Sequence, residues 1–330
     1  MVRILAYEPS FRRIAGQVAE ATKAHEVLLM DKDGAITLNG APVDPDAAEV
    51  EVGWATADMF FSPAARPYFA AILKSNNLKW VQSSAAGYDS PVFGMIVSKG
   101  AQLTTNHSQA IGMSEYVLAT VLDHFQRGPE RRIEQAAARW TPLNYREVAG
   151  SHWLIVGFGA IGQETARRAK AFGATITGVR RQAGDQPLAD AMATPDALPA
   201  LLPTADVVVL SLPLNANTAN MVDAKFLEAM KPGSVLVNVG RGGLVDEPAL
   251  LAALDAGKPE QAILDVFVTE PLPADSRFWS HPRVTATPHA SPMGSGLQGR
   301  SDALFVENLT RYLAGQPLIN AVEAKEVLGG

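Results

Sequence analysis

Three short stretches in the second half of the chain carry residue types that could do chemistry together. VLVNVGRGGLVDE (235–247) places Arg241 in a glycine-flanked loop after an apolar run. AILDVFVTEPLP (262–273) puts Asp265 within the run and Glu270 beyond it, and VTATPHAS (284–291) carries His289 at the end of its run. Each run reads as a buried strand, and strand carboxyl ends line the ligand crevice of an open α/β sheet. A guanidinium, a carboxylate and an imidazole could therefore converge there. The guanidinium would pair with an anion through its fork of donors. The imidazole would give or take a proton near neutrality.

A second constellation lies upstream. In SHWLIVGFGAIG (151–162) an apolar run enters a turn with Gly157, Gly159 and Gly162, and IGQETARRAKAF then reads as an amphipathic helix. This G-x-G-x-x-G spacing, in that strand-to-helix setting, is the fingerprint of a dinucleotide site. Gly157 permits the tight turn, Gly159 clears room for phosphates, and Gly162 lets helix and strand pack closely. Ala160 and Ile161 then open the helix, whose N-terminal N–H groups favour an anion. The next run, TITGV, ends in Arg180 and Arg181. An acid at that place would bind a ribose 2′-hydroxyl, whereas guanidinium groups pair with a 2′-phosphate. NADP(H) is the expected cofactor, with NAD(H) possible.

These residues need a scaffold. Apolar runs at 153–156, 175–179, 206–210, 234–239, 262–266 and 284–287 read as six strands. Helices are expected at 161–172, 225–230 and 248–256, which completes a dinucleotide-binding sheet. Residues 181–199 show little regular pattern before a small helix. Upstream, strands are expected at 2–7, 27–31, 36–38, 51–55, 78–83 and 102–105, with a helix at 63–73. Two further helices are expected at 108–127 and 129–140. A last helix reaches Leu313 and is expected to return to the first domain, which makes that domain discontinuous. The expected division is 1–102 with 291–330, and 103–290.

From about Leu78 onward the chain resembles the D-isomer-specific 2-hydroxyacid dehydrogenases, on the glycine turn and the three motifs taken in order. The paired arginines make it most similar to the glyoxylate/hydroxypyruvate reductase branch. The resemblance implies an α/β fold of two domains, a Rossmann dinucleotide-binding domain and a smaller, discontinuous, flavodoxin-like substrate domain. It implies NADPH-dependent reduction of a small 2-keto acid to the D-2-hydroxy acid. Arg241 would bind the carboxylate and polarise the carbonyl, and His289 would supply the proton. Glu270 would orient the imidazole. Asp265, Val239, Gly240, Pro213 and Thr218 would line the cofactor, with Asp265 reading the nicotinamide amide or else anchoring a buried loop. Ala86 and Gly87 match a substrate-facing loop. Trp54 is expected either as a wall of the substrate pocket or as core, Arg300 as a second positive group or a solvated one. Met113 and Glu115 could approach the cofactor or simply pack. His107 and His152 read as structural. Ser291 and Pro292 depart from the alanine-glycine pair of many relatives.

The resemblance also implies a homodimer, to which the apolar helix at 108–127 could contribute. A non-catalytic nucleotide-sensing co-repressor is the alternative of another class, since such proteins resemble this family. Formate dehydrogenases carry glutamine where Glu270 stands, which disfavours that relative.

Composition narrows the field further. The 330 residues exceed one ordinary core, so two domains are expected. With 28 basic and 34 acidic residues the net charge is −6, which argues against a nucleic-acid surface. The absence of cysteine excludes disulfides, thiolate metal sites and thiol nucleophiles, and no metal site is expected. No apolar run approaches a membrane span, and the first run, MVRILAYEP, is too short for a signal-peptide core, so a cytoplasmic protein is expected.

Overall fold

The structure is a computed structural model and describes residues 1–88, 90–182 and 184–328. The chain divides into two compact units, Met1–Ser108 with Gly296–Gly330, and Gln109–Ser295. The expected division at 102/103 would cut a strand, and the units change over a few residues later at both crossings.

The first unit starts with β1 (Arg3–Tyr7), α1 (Glu8–Thr22), β2 (Glu26–Met30), β3 (Ile36–Leu38) and β4 (Ala41–Val43). It continues with β5 (Val52–Ala55), α2 (Ala57–Phe60), α3 (Ala65–Lys74), β6 (Trp80–Ser83), α4 (Pro91–Ser98) and β7 (Gln102–Thr104). The second unit holds α5 (Ala110–Phe125), α6 (Gly128–Ala136), β8 (His152–Val156), α7 (Ala160–Ala171), β9 (Thr175–Val179), β10 (Ala191–Ala193) and α8 (Leu198–Leu201). After these come β11 (Val207–Leu210), α9 (Ala224–Ala229), β12 (Val235–Asn238), α10 (Glu247–Asp255), β13 (Gln261–Leu264) and β14 (Val284–Ala286). The chain then returns to the first unit with α11 (Leu297–Leu313), β15 (Ala321–Val322) and α12 (Ala324–Val327).

In the first unit the parallel strands run β7-β6-β5-β1-β2, the flavodoxin-like order. β3 and β4 extend one edge as an antiparallel hairpin, and β15 pairs antiparallel with β7 at the other. The hairpin turns on Asn39 and Gly40, both at positive φ (50° and 81°), as a tight two-residue turn requires. Leu5, Leu28, Tyr68 and Ile72 fill one face of the sheet. On the other, Ile4, Ile14, Trp54 and Trp80 pack with Phe305 and Leu309 of α11.

The second sheet is wholly parallel, in the order β10-β9-β8-β11-β12-β13-β14. Its first six strands follow the dinucleotide-binding order, and β14 adds a seventh. β11, β12 and β13 are buried at every residue, as strands covered on both faces must be. The inner side of α5, with Met113, Val117, Val121 and Phe125, packs with Trp153, Ile155 and Ala166. That packing against the unit's own core and α7 accounts for the apolar wrap of α5.

The helix expected at 129–140 ends at Ala136, and Ala138 turns left-handed at φ 50°. The segment read as irregular holds β10, whose three residues pair with Thr177, Gly178 and Val179.

Candidate active site

The glycine turn joins β8 to α7. Gly157 has φ +97°, and its N–H donates to the Val179 carbonyl at 2.9 Å. A Cβ there would lie 2.7 Å from the Ser211 and Leu212 backbone, so only glycine fits. At Gly162 a Cβ would meet the Gly157 oxygen at 2.4 Å, which is the close helix–strand approach the spacing implies. Gly159 differs. It is exposed, it begins α7, and a Cβ would find no protein atom within 4 Å. No side chain caps this helix start, and Ala160 and Ile161 occupy its first two positions. Open space beside the uncapped N-terminus of a 12-residue helix fits a pyrophosphate.

At the end of β9, Arg180 folds onto its own loop. Its Nε donates to the Gln182 carbonyl at 2.7 Å and Nη2 to the Gly184 carbonyl at 3.3 Å. Arg181 beside it is exposed. In the loop after β11, the Thr218 hydroxyl donates to the Pro213 carbonyl at 2.9 Å and accepts from the Asn215 N–H at 2.8 Å. This closes residues 213–218 into a compact turn.

His289 and Glu270 are brought together across 19 residues, with Nδ1 and Oε2 2.8 Å apart. An ionised carboxylate only accepts, so Nδ1 carries the proton in this pair and Nε2 is left for other business. The other Glu270 oxygen accepts from the Phe267 N–H at 2.9 Å, which fixes the carboxylate before it meets the ring. His289 stands in the left-handed region at φ +52°, an uncommon conformation for a residue with a Cβ.

What holds it there is Asp265, fully buried at the end of β13. One oxygen accepts from the Thr287 hydroxyl at 2.5 Å and the Ala290 N–H at 2.8 Å, the other from the Ser291 N–H at 3.0 Å. The Asp265 carbonyl accepts from the His289 N–H at 2.8 Å. Of roughly four lone-pair positions on a carboxylate, three are thus taken by the turn that carries His289. Asp265 is the loop anchor of the two roles expected for it; a nicotinamide contact would have to use the remaining position. The Ser291 hydroxyl is buried and has no hydrogen-bond partner among the described residues.

Arg241 lies in the loop after β12. Buried Asn238 shapes that loop, donating from Nδ2 to the Arg241 carbonyl at 2.9 Å and accepting the Gly240 N–H at 3.0 Å. Val239 is buried, and a Cβ at Gly240 would sit 2.9 Å from the Leu212 oxygen. At Gly242 a Cβ would fall 1.9 Å from the Phe267 carbonyl carbon. The Arg241 loop therefore presses backbone to backbone on the loop that leads to Glu270. Arg241 itself donates from Nη1 to the Gly240 carbonyl at 2.9 Å.

Ala86 and Gly87 lie in the loop after β6, in the first unit. Of the two readings of Trp54 the structure matches core packing: it is 1% exposed and stacks on Phe305 at 4.3 Å with planes 5° apart. Arg300 donates from Nε to the Ser108 carbonyl at 3.0 Å. His152 is structural, bonded to Thr177 Oγ1 at 2.8 Å and the Thr204 carbonyl at 3.2 Å. Met113 is core, and Glu115 pairs with Arg168 at 3.4 Å. Sequence reading missed Asn238 and Thr287. Both are polar residues at the end of an apolar run, and that position is the signal that could have found them. Among the described residues no group of three or more His, Asp or Glu side chains could hold a metal ion, and no helix is long and apolar enough to cross a membrane.

Known proteins match this arrangement. Residues 118–291 fit the family model of the D-isomer specific 2-hydroxyacid dehydrogenase NAD binding domain. The glyoxylate/hydroxypyruvate reductase A of Yersinia enterocolitica is 34% identical over 180 residues, which span 54% of this chain and 58% of that protein. A D-isomer specific 2-hydroxyacid dehydrogenase family protein from Aeromonas salmonicida, of known crystal structure, is 31% identical over 98% of this chain and 99% of its own, with a TM-score of 0.77. A D-isomer specific 2-hydroxyacid dehydrogenase from Xanthobacter autotrophicus, solved with NADPH and MES, is 27% identical over 99% of both chains, with a TM-score of 0.78. Its sheet order, glycine turn, motifs and these likenesses agree: the chain belongs to the D-isomer-specific 2-hydroxyacid dehydrogenase family.

Proposed function

We propose that this protein reduces a small 2-keto acid, of the glyoxylate or hydroxypyruvate type, to the D-2-hydroxy acid with NADPH. The observation that carries this reading is the His289–Glu270 pair at 2.8 Å, set at the carboxyl end of the sheet that bears the glycine turn. Its chemistry is that of a general acid held in one orientation by a carboxylate. His289 Nε2 would deliver a proton to the carbonyl oxygen, and the ring would recover it from water. Arg241 would hold the substrate carboxylate and draw charge from the carbonyl as the alkoxide develops. When bound, NADPH supplies the hydride, held by the helix N-terminus at Gly159–Ile161 and by Arg180 and Arg181. The names of the Yersinia relative and the NADPH complex from Xanthobacter support the substrate class and cofactor.

Consumption of NADPH with glyoxylate, hydroxypyruvate and longer 2-keto acids tests the reading, with NADH in parallel. Turnover on none of them by the purified protein would sink it.

The protein is further proposed to act as a homodimer, in the cytoplasm. Support for the dimer comes from the segment after α5. α6 buries no residue, and beyond it Trp140 stands 98% exposed, with Ile133 and Tyr145 also open to solvent. Three exposed apolar side chains between residues 133 and 145 suit contact with a second copy of the chain. Light scattering should give twice the chain mass, and Trp140→Ser should shift it toward the monomer.

A further inference from the structure

Tyr116 lies on α5, far in sequence from the motifs, yet its hydroxyl reaches Thr287 Oγ1 at 2.7 Å. The Thr287 hydroxyl has a single proton, and it goes to Asp265. Tyr116 must therefore be the donor of the first bond. A directed chain results: Tyr116 donates to Thr287, Thr287 to Asp265, and Asp265 accepts the Ala290 N–H on the same oxygen and the Ser291 N–H on the other. Burial, with the Asp265 charge adding to it, pushes the Tyr116 phenol up to about 12, so it keeps its proton through the physiological range. The turn enclosed by these bonds contains the left-handed His289.

We propose that Tyr116 and Thr287 are positioning residues for His289, bracing the Asp265 carboxylate so that the 287–291 turn presents the imidazole to Glu270 in one geometry. The consequence for reaction rate rests on the reductase reading given above; the brace does not. A fixed acid matters because a displacement of about 1 Å at a reacting group can lower a rate a hundredfold. Removing one hydroxyl from the chain leaves either Thr287 without its donor or Asp265 one bond short. The cost of a left-handed residue is then met by fewer bonds.

Hydrogen exchange read by mass spectrometry on the full-length protein tests the brace without reference to turnover. In Tyr116→Phe and Thr287→Val, the peptide spanning 287–293 should exchange about tenfold faster, with other peptides unchanged. Thr287→Ser, which restores the hydroxyl, should match the parent. Unchanged protection at 287–293 in both variants would overturn the brace, as would a uniform loss across the chain or a Thr287→Ser protein as open as Thr287→Val. Turnover of the same proteins tests the positioning role. kcat should fall about tenfold or more in Tyr116→Phe and Thr287→Val, with KM for the keto acid and the Kd of NADPH within about twofold. A loosened turn with parental kcat would refute positioning. If the parent turns over no keto acid, the reductase reading fails, while the exchange result still decides the brace.

Discussion

Replacing Gly159 by alanine adds one methyl group where the protein itself has nothing within 4 Å, and the same change at Gly162 drives a methyl to 2.4 Å from the Gly157 oxygen and 3.0 Å from Ile155 Cγ2. The two substitutions should therefore separate binding from folding. At Gly159 the backbone has φ −85°, which alanine adopts freely. Alanine is a poorer helix cap than glycine by roughly 0.5–1 kcal/mol, and it restricts the unfolded chain by about 0.4–1 kcal/mol. These nearly cancel, so the melting temperature should stay within about 2 °C. The cofactor, in contrast, would meet the methyl group where its phosphates approach the helix. Losing one charge-assisted bond of about 1.5–3 kcal/mol weakens binding roughly tenfold to a hundredfold. Gly162→Ala should instead lose stability by about 1–3 kcal/mol or more through overpacking. Thermal melts of the cofactor-free proteins and fluorescence titration with NADPH measure both effects. A Gly159→Ala protein with parental NADPH affinity would remove the pyrophosphate from this turn, and a Gly162→Ala protein with parental melting temperature would refute the packing account.

Three further outcomes are expected. Exchanging Arg180 and Arg181 together for Asp and Ser should weaken NADPH by about tenfold or more while NADH changes little, because a guanidinium–phosphate bond is lost for one cofactor only; equal losses in parallel titrations would contradict the 2′-phosphate role. Trp54→Ala should destabilise by about 3–5 kcal/mol through an unfilled core beside Phe305 and leave KM near the parental value; a KM change without a stability loss would return Trp54 to a pocket wall. Asp206 is half-buried, and burial alone would raise its pKa, but bonds from Lys231 (2.7 Å) and the His152 N–H (2.8 Å), with the Arg146 charge, hold it below the ordinary aspartate value. A lowered folded pKa means stability that is present above the unfolded value, near 3.9, and lost as pH falls through the folded one. Asp206→Asn should therefore melt lower than the parent at pH 7, with the gap closing below about pH 4; a gap independent of pH would refute the assignment.

Much of the site could be read in the sequence because its parts are local. Apolar runs of four to six residues ending in a polar residue gave the strands and, at their ends, Arg241, Glu270 and His289. The glycine spacing is legible for the same reason, since Gly162 must pack against Gly157 within one turn. What escaped depends on contacts between distant segments. β10 is three residues long and pairs only because Thr177–Val179 offer an edge. Tyr116 on α5 gives no local hint that it reaches Thr287, 171 positions on. Trp54 could not be told from a pocket residue until Phe305, from the far end of the chain, was found against it. Arg180 was read for its charge, and its bonds to the carbonyls of residues 182 and 184 belong to a loop shape that composition does not encode.

The two units differ in how the chain visits them. The second is one continuous stretch, so it can complete its sheet as soon as residue 295 has left the ribosome. The first is begun at the N-terminus and finished only by α11, whose Phe305 and Tyr312 stack on Trp54 and Trp80. Until α11 is made, the nascent first unit exposes that aromatic face for the whole time the second is being synthesised. A chain stopped after Ser295 would carry His289, Glu270 and the glycine turn, and with its aromatic face uncovered would still be a substrate for chaperones and proteases.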